Sequence, residues 1–362
     1  MFLRLNVLIF AISIVFTVLP GAATQNLDTP KKGEWDLKQK EIWSLTKANN
    51  SLFTKPDIVV SEDGTCYIHD IKNKLTYIFD GAGKYIKSFG KKGEGPGEIR
   101  FHDLSYFVDD MFVAFDMGSL HFFSKLGKFK KKILNAVGFT VPQFFLNKNE
   151  FVSTNMRGKG MLTHKNIETG KKKILKEYFI KRLTLADNST RFLPGISPSM
   201  IVGYDYKNQK IYYGINDTYL IHCADLNGKI LHSFSVDRKK KKISTSTRDK
   251  ELKILFGSDF NKELFKSIPN ELVYFNRIQI INEHVYVFVG NFSSNWESQK
   301  IDIFSLNGEY LYSSLFKPEK GFDIYLSYFN NIVLKKEHLY VVLEKDDSEV
   351  IIRKYKISLP NK

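Results

Sequence analysis

Six polar residues recur at one position of a repeated unit: Asp57, Asp103, Gln143, Ser199, Asn276 and Asn330. Each stands at the start of its unit's first apolar run, and the positions just after are mostly apolar. His102 adjoins Asp103, and Arg277 adjoins Asn276. If the units surround one axis, these eight side chains meet at one end of it. Two chemistries suit such a ring. Carboxylate, amide, hydroxyl and guanidinium groups hydrogen-bond a polar or anionic ligand. Carboxylates with amide and hydroxyl oxygens also suit calcium, which takes six to eight oxygen ligands at about 2.3–2.6 Å. In that case Asp57, Asp103, Asn276 and Asn330 hold the ion and His102 moves protons.

Other chemistries find no support. His69, His121, His164 and His222 fall in middle strands of different repeats, and His284 and His338 occupy equivalent hairpin turns. No His-x-x-x-His or Glu-x-x-His pairing occurs, so zinc is unsupported. The Gly-x-Ser-x-Gly signature of a serine nucleophile is absent. The glycines of Gly90 to Gly97 lack the strand-to-helix setting and terminal Lys–Ser/Thr of a phosphate loop. No residue is assigned a catalytic role, and the reading requires no cofactor.

The elements that must position the ring are short strands. Five times an apolar strand, an acidic or hydroxyl residue, a glycine turn and a second apolar strand follow one another. The turns are Asp80–Gly81–Ala82–Gly83–Lys84, Ser124–Lys125–Leu126–Gly127–Lys128, Glu168–Thr169–Gly170–Lys171, Asp225–Leu226–Asn227–Gly228–Lys229 and Ser305–Leu306–Asn307–Gly308–Glu309. Glycine supplies the positive φ that a tight hairpin needs. Two further strand-like runs precede each turn. Four antiparallel strands per repeat of roughly 40–55 residues mark a propeller blade. The second repeat matches the first at constant offset, Asp57 with Asp103 and Asp70 with Asp116. Late in the chain, Tyr274–Phe275–Asn276 returns as Tyr328–Phe329–Asn330.

Six strand sets therefore share five glycine turns. The last run, Val350 to Ile357, has no outer strand after it, and Glu41 to Leu45 is expected to supply one. Pairing first and last strands closes a ring and removes two free sheet edges. The expected fold is all-β: a six-bladed β-propeller over residues 24–362. Gly90–Lys91–Lys92–Gly93–Glu94–Gly95–Pro96–Gly97–Glu98–Ile99 resembles the linker between blades of NHL-type six-bladed propellers. Tyr67–Ile68–His69–Asp70, Ile78–Phe79–Asp80 and Gly83–Lys84–Tyr85 resemble the rest of that repeat. The resemblance is densest across 56–134, and the hairpin phrase persists to residue 315. It implies a bacterial exported protein of a kind mostly without assigned activity. Propeller lactonases are similar in using Asp, Glu and Asn around a channel calcium, although no local motif carries their ligands over.

One stretch breaks the repeat. Between Arg238 and Leu272, Leu252, Leu255, Phe256, Phe260, Leu264, Phe265 and Ile268 recur at spacings near three and four. That is an amphipathic helical pattern, split by Gly257–Ser258 into two short helices. The insert is either a decoration packed on the blades or a lid. Residues 1–23 read as a signal peptide, with Arg4, an apolar run from Leu5 to Leu19, Pro20 and the small residues Gly21–Ala22–Ala23. No later stretch is long and apolar enough to span a membrane. The protein is expected to be exported, periplasmic or secreted.

The net charge is +15, carried by lysines of hairpin flanks and outer strands, with no nucleic-acid recognition motif beside them. Cys66 and Cys223 fall in the first and fourth repeats. Across a ring they lie beyond the roughly 7 Å between Cα atoms that a disulfide allows, so two buried thiols are expected. The reading is of a monomeric, non-catalytic propeller binding a protein, peptide or glycan at its channel mouth. The alternative is a calcium-dependent, lactonase-like or other hydrolase with its site in the central channel.

Overall fold

Every glycine phrase becomes the hairpin between the third and outer strands of a four-stranded antiparallel sheet. The computed structural model describes residues 23–360 except 102–103, 139, 156–158, 181–182, 192, 194, 292–294, 326–330 and 346–348. The leader expected over residues 1–23 thus lies outside the described residues, apart from Ala23. Six sheets succeed one another along the chain. Their inner strands are Pro56–Val60, Leu104–Val108, Thr140–Asn147, Met200–Asp205, Phe275–Ile281 and Ile332–Lys335, defining blades 1 to 6. All six line a common axial cavity. The chain is a six-bladed β-propeller.

Closure follows the expected route. Lys40–Leu45 pairs antiparallel with Glu349–Lys356, in register from Lys40↔Lys356 to Leu45↔Ile352, and supplies the outer strand of blade 6. A second device is added upstream. Thr24–Leu27 runs parallel to the outer strand of blade 4, Ile230–Asp237. Asn26 holds it there, its Nδ2 donating to the carbonyls of Ser235 (3.0 Å) and Gly308 (2.9 Å) and its Oδ1 accepting from the Tyr310 N–H (3.0 Å). The chain then follows the outer edge of blade 5, where the N–H groups of Lys31, Lys32 and Trp35 donate to the carbonyls of Tyr310, Leu311 and Ser313. A strap therefore crosses three blades before the closing strand begins.

The glycine turns do more than reverse the chain. The side chain of the first turn residue accepts backbone N–H groups, as Asp80 Oδ1 does from Ala82 and Lys84, both at 2.9 Å. Gly127 (φ +73°) meets the Phe89 ring of the preceding blade so closely that a Cβ would lie 2.4 Å from it. Phe89 in turn packs on Phe112 (5.3 Å) and Phe123 (4.9 Å) of blade 2. The repeated phrase thus shapes the seams between blades as well as the turns.

Between blades 4 and 5 the seam is polar. Asp302 is fully buried and accepts from Tyr219 Oη, Tyr310 Oη and Arg238 Nη1, each at 2.6 Å. Arg238 Nε also reaches Asp28 of the strap at 2.5 Å. A buried carboxylate persists only when its lone pairs are met in this way. Cys66 in blade 1 and Cys223 in blade 4 are fully buried thiols, and burial pushes Cys66 up to about 12.

The insert forms helices α1 (Thr245–Phe256) and α2 (Lys262–Phe265), separated by a 3-10 turn at Gly257–Asp259. Ser244 caps α1 by accepting from the Thr247 N–H at 3.0 Å. Its apolar partner was not legible beforehand: the linker between blades 3 and 4. Leu252, Phe265 and Ile268 bury against Leu185, Leu193 and Ile196 of that linker. Backbone bonds from Ala186 N–H to Leu264 O (3.1 Å) and Val273 N–H to Gly195 O (2.9 Å) tie the two together. Both segments join an outer strand to the next inner strand, so they lie where the inner strands begin.

Candidate functional site

Five of the eight expected residues stand at or beside the starts of inner strands in the described structure, and of these only Gln143 lines the axial cavity. His102, Asp103 and Asn330 lie outside the described residues. Asp57 is buried in blade 1, opposite His69 in register. Arg277 projects from blade 5 and donates to the Ile332 carbonyl of blade 6. Burial lowers the pKa of its guanidinium, and the Asp57 carboxylate opposes that shift. Arginine stays charged through such shifts. One cation therefore ties blade 5 to blade 6 and lies within the field of a blade 1 carboxylate.

Gln143 and Asn276 share an unforeseen geometry. Pairing passes from Pro142↔Ser153 to Phe144↔Val152, and from Phe275↔Val289 to Arg277↔Phe288. Both residues are thus β-bulges at equivalent places in blades 3 and 5. A bulge leaves one residue unpaired and bends the strand, which re-aims a side chain. Gln143 lines the cavity, with its Nε2 donating to Thr154 Oγ1 at 3.0 Å. Ser199 is committed to a seam. Its N–H donates to Asn216 Oδ1 (2.7 Å), while Asn216 Nδ2 reaches the Phe275 carbonyl (2.9 Å).

Asp70 and Asp116 perform the same task in blades 1 and 2. Asp70 accepts from the Thr54 N–H (3.0 Å), and Asp116 from those of Arg100 (3.1 Å) and Phe101 (2.8 Å). Burial works to raise the Asp116 pKa, yet the His121 contact and these N–H groups together leave it lowered. The histidines also serve their own blades. His69 Nδ1 meets Thr76 Oγ1 at 3.0 Å, and His222 Nδ1 meets Ser233 Oγ at 2.7 Å. Among the described residues, no three His, Cys, Asp or Glu side chains come together to hold a metal.

The axial cavity opens at the other end. Its volume is about 760 Å³, and it extends to the turns that follow the inner strands, at Glu62, Lys207, Asn282 and Lys335. Val60, Phe107, Phe145 and Ile280 make its wall largely apolar. The charges around the rim are paired between turns. Lys207 meets Glu283 at 2.6 Å, Lys335 meets Glu62, and Lys336 Nζ donates to the Glu62 carbonyl at 2.7 Å. Tyr206, Glu62 and Lys335 stand in the turns that follow the inner strands, outside the repeated polar position at the strand starts. A signal did exist: Asp205-x-x-Asn208 repeats the turn pattern of Asp70-x-x-Asn73.

Comparison with known proteins adds the following. The model of family DUF5128, described as a 6-bladed β-propeller, matches residues 44–111, from the closing strand into blade 2. A member of the DUF4221 family from Bacteroides vulgatus is similar in structure at 12% identity and a TM-score of 0.59. That likeness covers 90% of this chain and 99% of that one. A protein from Bacteroides fragilis whose name calls it exported is similar at 12% identity and a TM-score of 0.55, covering 93% and 100%. No curated protein matches the chain. The likeness is one of fold. Among the described residues no helix is long and apolar enough to cross a membrane.

Proposed function

We propose that this is a non-catalytic, exported propeller that binds a polar ligand in its central channel. One observation carries the reading: a solvent-reached axial cavity with apolar and aromatic walls and polar groups at both ends, drawn from all six blades. Pockets that hold ligands combine an apolar wall with a few placed polar groups in this way. Protein, peptide and glycan ligands all suit such a channel. The leader pattern of residues 1–23 and the likeness to a protein named as exported support export.

Calorimetry of the full chain with short peptides and oligosaccharides tests the proposal. Binding weakened by Asn276→Ala or by changes at the turn end is the expected result. Calcium-dependent stabilisation reversed by a chelator, together with turnover of a lactone, would sink it in favour of a hydrolase.

A further inference from the structure

We infer that Tyr206 and the rim around it bind a neutral oligosaccharide at the turn end of the channel. This rests on the channel-binding reading and adds the end of the channel, the anchoring residue and the ligand class. Tyr206 sits in the turn Asp205–Tyr206–Lys207–Asn208 that leaves the inner strand of blade 4. Asp205 Oδ1 accepts from the N–H groups of Lys207 (3.0 Å) and Asn208 (3.1 Å), and its Oδ2 from Asn208 Nδ2 (2.8 Å). Such a turn is set by the Asx side chain itself, so Tyr206 is presented rigidly.

Behind the ring stands an aromatic column. Tyr206 packs edge-on against Tyr204, with centroids 4.8 Å apart and planes at 78°. Tyr204 stacks on Phe144 of blade 3 at 4.5 Å and 6°. Tyr206 nevertheless keeps 62% of its surface exposed, although it lies on the cavity wall. Both facts hold because the ring projects into an open channel: solvent touches it while protein surrounds it. Burial raises the pKa of its phenol, and Tyr204 and the Glu62 carboxylate add to this, so the hydroxyl is a neutral donor. A large aromatic face left open inside a concavity is a surface on which a ligand can pack.

The rim selects the class. The lining carries three lysines, Lys207, Lys335 and Lys336, against three carboxylates, Glu62, Asp205 and Glu283, so no net charge selects an ion. An ammonium has three donors and a carboxylate two acceptor oxygens, so each retains hydrogen-bonding capacity after pairing. A neutral sugar matches both demands. Its apolar C–H face lies against the electron-rich face of Tyr206, and its hydroxyls reach the rim. A nucleotide would match the ring but brings a phosphate that a rim of zero net charge does not favour. A cavity of about 760 Å³ lies within the roughly 300–1,000 Å³ of ligand pockets.

Isothermal calorimetry of the full chain with hexasaccharides of α-1,4- and β-1,4-linked glucose, β-1,4-linked xylose and β-1,4-linked mannose tests the inference. At least one should bind, and Tyr206→Ala should weaken it about tenfold, the scale of one lost aromatic contact. Tyr206→Phe should retain most of the affinity. The melting temperature of Tyr206→Ala should stay unchanged, since the ring is largely exposed. Failure of all four sugars, or binding of adenosine in their place, overturns the inference. Binding lost in Asn276→Ala but kept in Tyr206→Ala also overturns it, while leaving the channel-binding reading intact. If neither sugars nor peptides bind, both readings fall.

Discussion

The two ends of the channel use the same residue types for opposite purposes. Where the inner strands begin, carboxylate, amide and guanidinium groups are spent on the protein's own backbone: Arg277 on Ile332, Asn216 on Phe275, Asp116 on Arg100 and Phe101. Where they end, charges pair with charges between neighbouring turns, and the cavity stays open. The difference is one of burial. A buried polar group must be matched in a fixed geometry, whereas a solvated one is free to exchange partners. Polarity at a channel mouth therefore does not by itself mark a binding site. The open end does so better.

The largest test removes Arg277. Arg277→Leu removes the charged donor that joins blade 5 to the buried Ile332 carbonyl of blade 6, and losing such a bond costs about 1.5–3 kcal/mol. Urea denaturation should show it; unchanged stability would break the contrast at its root. Asp116→Ala comes next, leaving two N–H groups unmatched at a cost of about 1–3 kcal/mol. Its folded pKa is lowered, so the stabilisation is present above the ordinary carboxylate value of about 4 and is lost as pH falls through the lowered one. Asp116→Asn should accordingly flatten the acid limb of the stability profile, and an unaltered limb would assign that stabilisation elsewhere.

Ser199→Ala sharpens the comparison further, since it removes only the 3.3 Å contact with Asn216 Nδ2. The expected loss is about 1 kcal/mol, read by thermal melting. Lys207→Ala at the turn end should cost far less than any of these, because its ion pair with Glu283 is exposed, and less still in high salt. A loss there as large as that at Asp116 would mean that the turn end is as structural as its opposite.

Much of the scaffold was legible because it repeats. The glycine phrase located the hairpins, its missing copy pointed to Glu41–Leu45, and the insert's spacing gave two helices with a break at Gly257. Features carried by a single side chain were hidden. Thr24–Leu27 has no alternating pattern, and the Asn26 amide adds to its parallel ladder on blade 4 the bonds that reach blade 5. The bulges at Gln143 and Asn276 are one-residue register changes with no compositional mark. Leu185, Leu193 and Ile196 follow no period, so their burial under the insert was invisible. Of the proposed ring, Arg277 stood out in the sequence only by its place beside Asn276, and its bond to the Ile332 carbonyl of the next blade was not legible there.

The closing strand has one more consequence, and it concerns time. Lys40–Leu45 leaves the ribosome long before its partner Glu349–Lys356, with five blades made in between. Until that partner exists, the blades form an open arc with a bare sheet edge at each end, the kind of species prone to aggregate. Pairing so distant in sequence is also slow to find. The ring can shut only once Glu349–Lys356 has been made, so a chain threaded elsewhere before that moment travels unfinished.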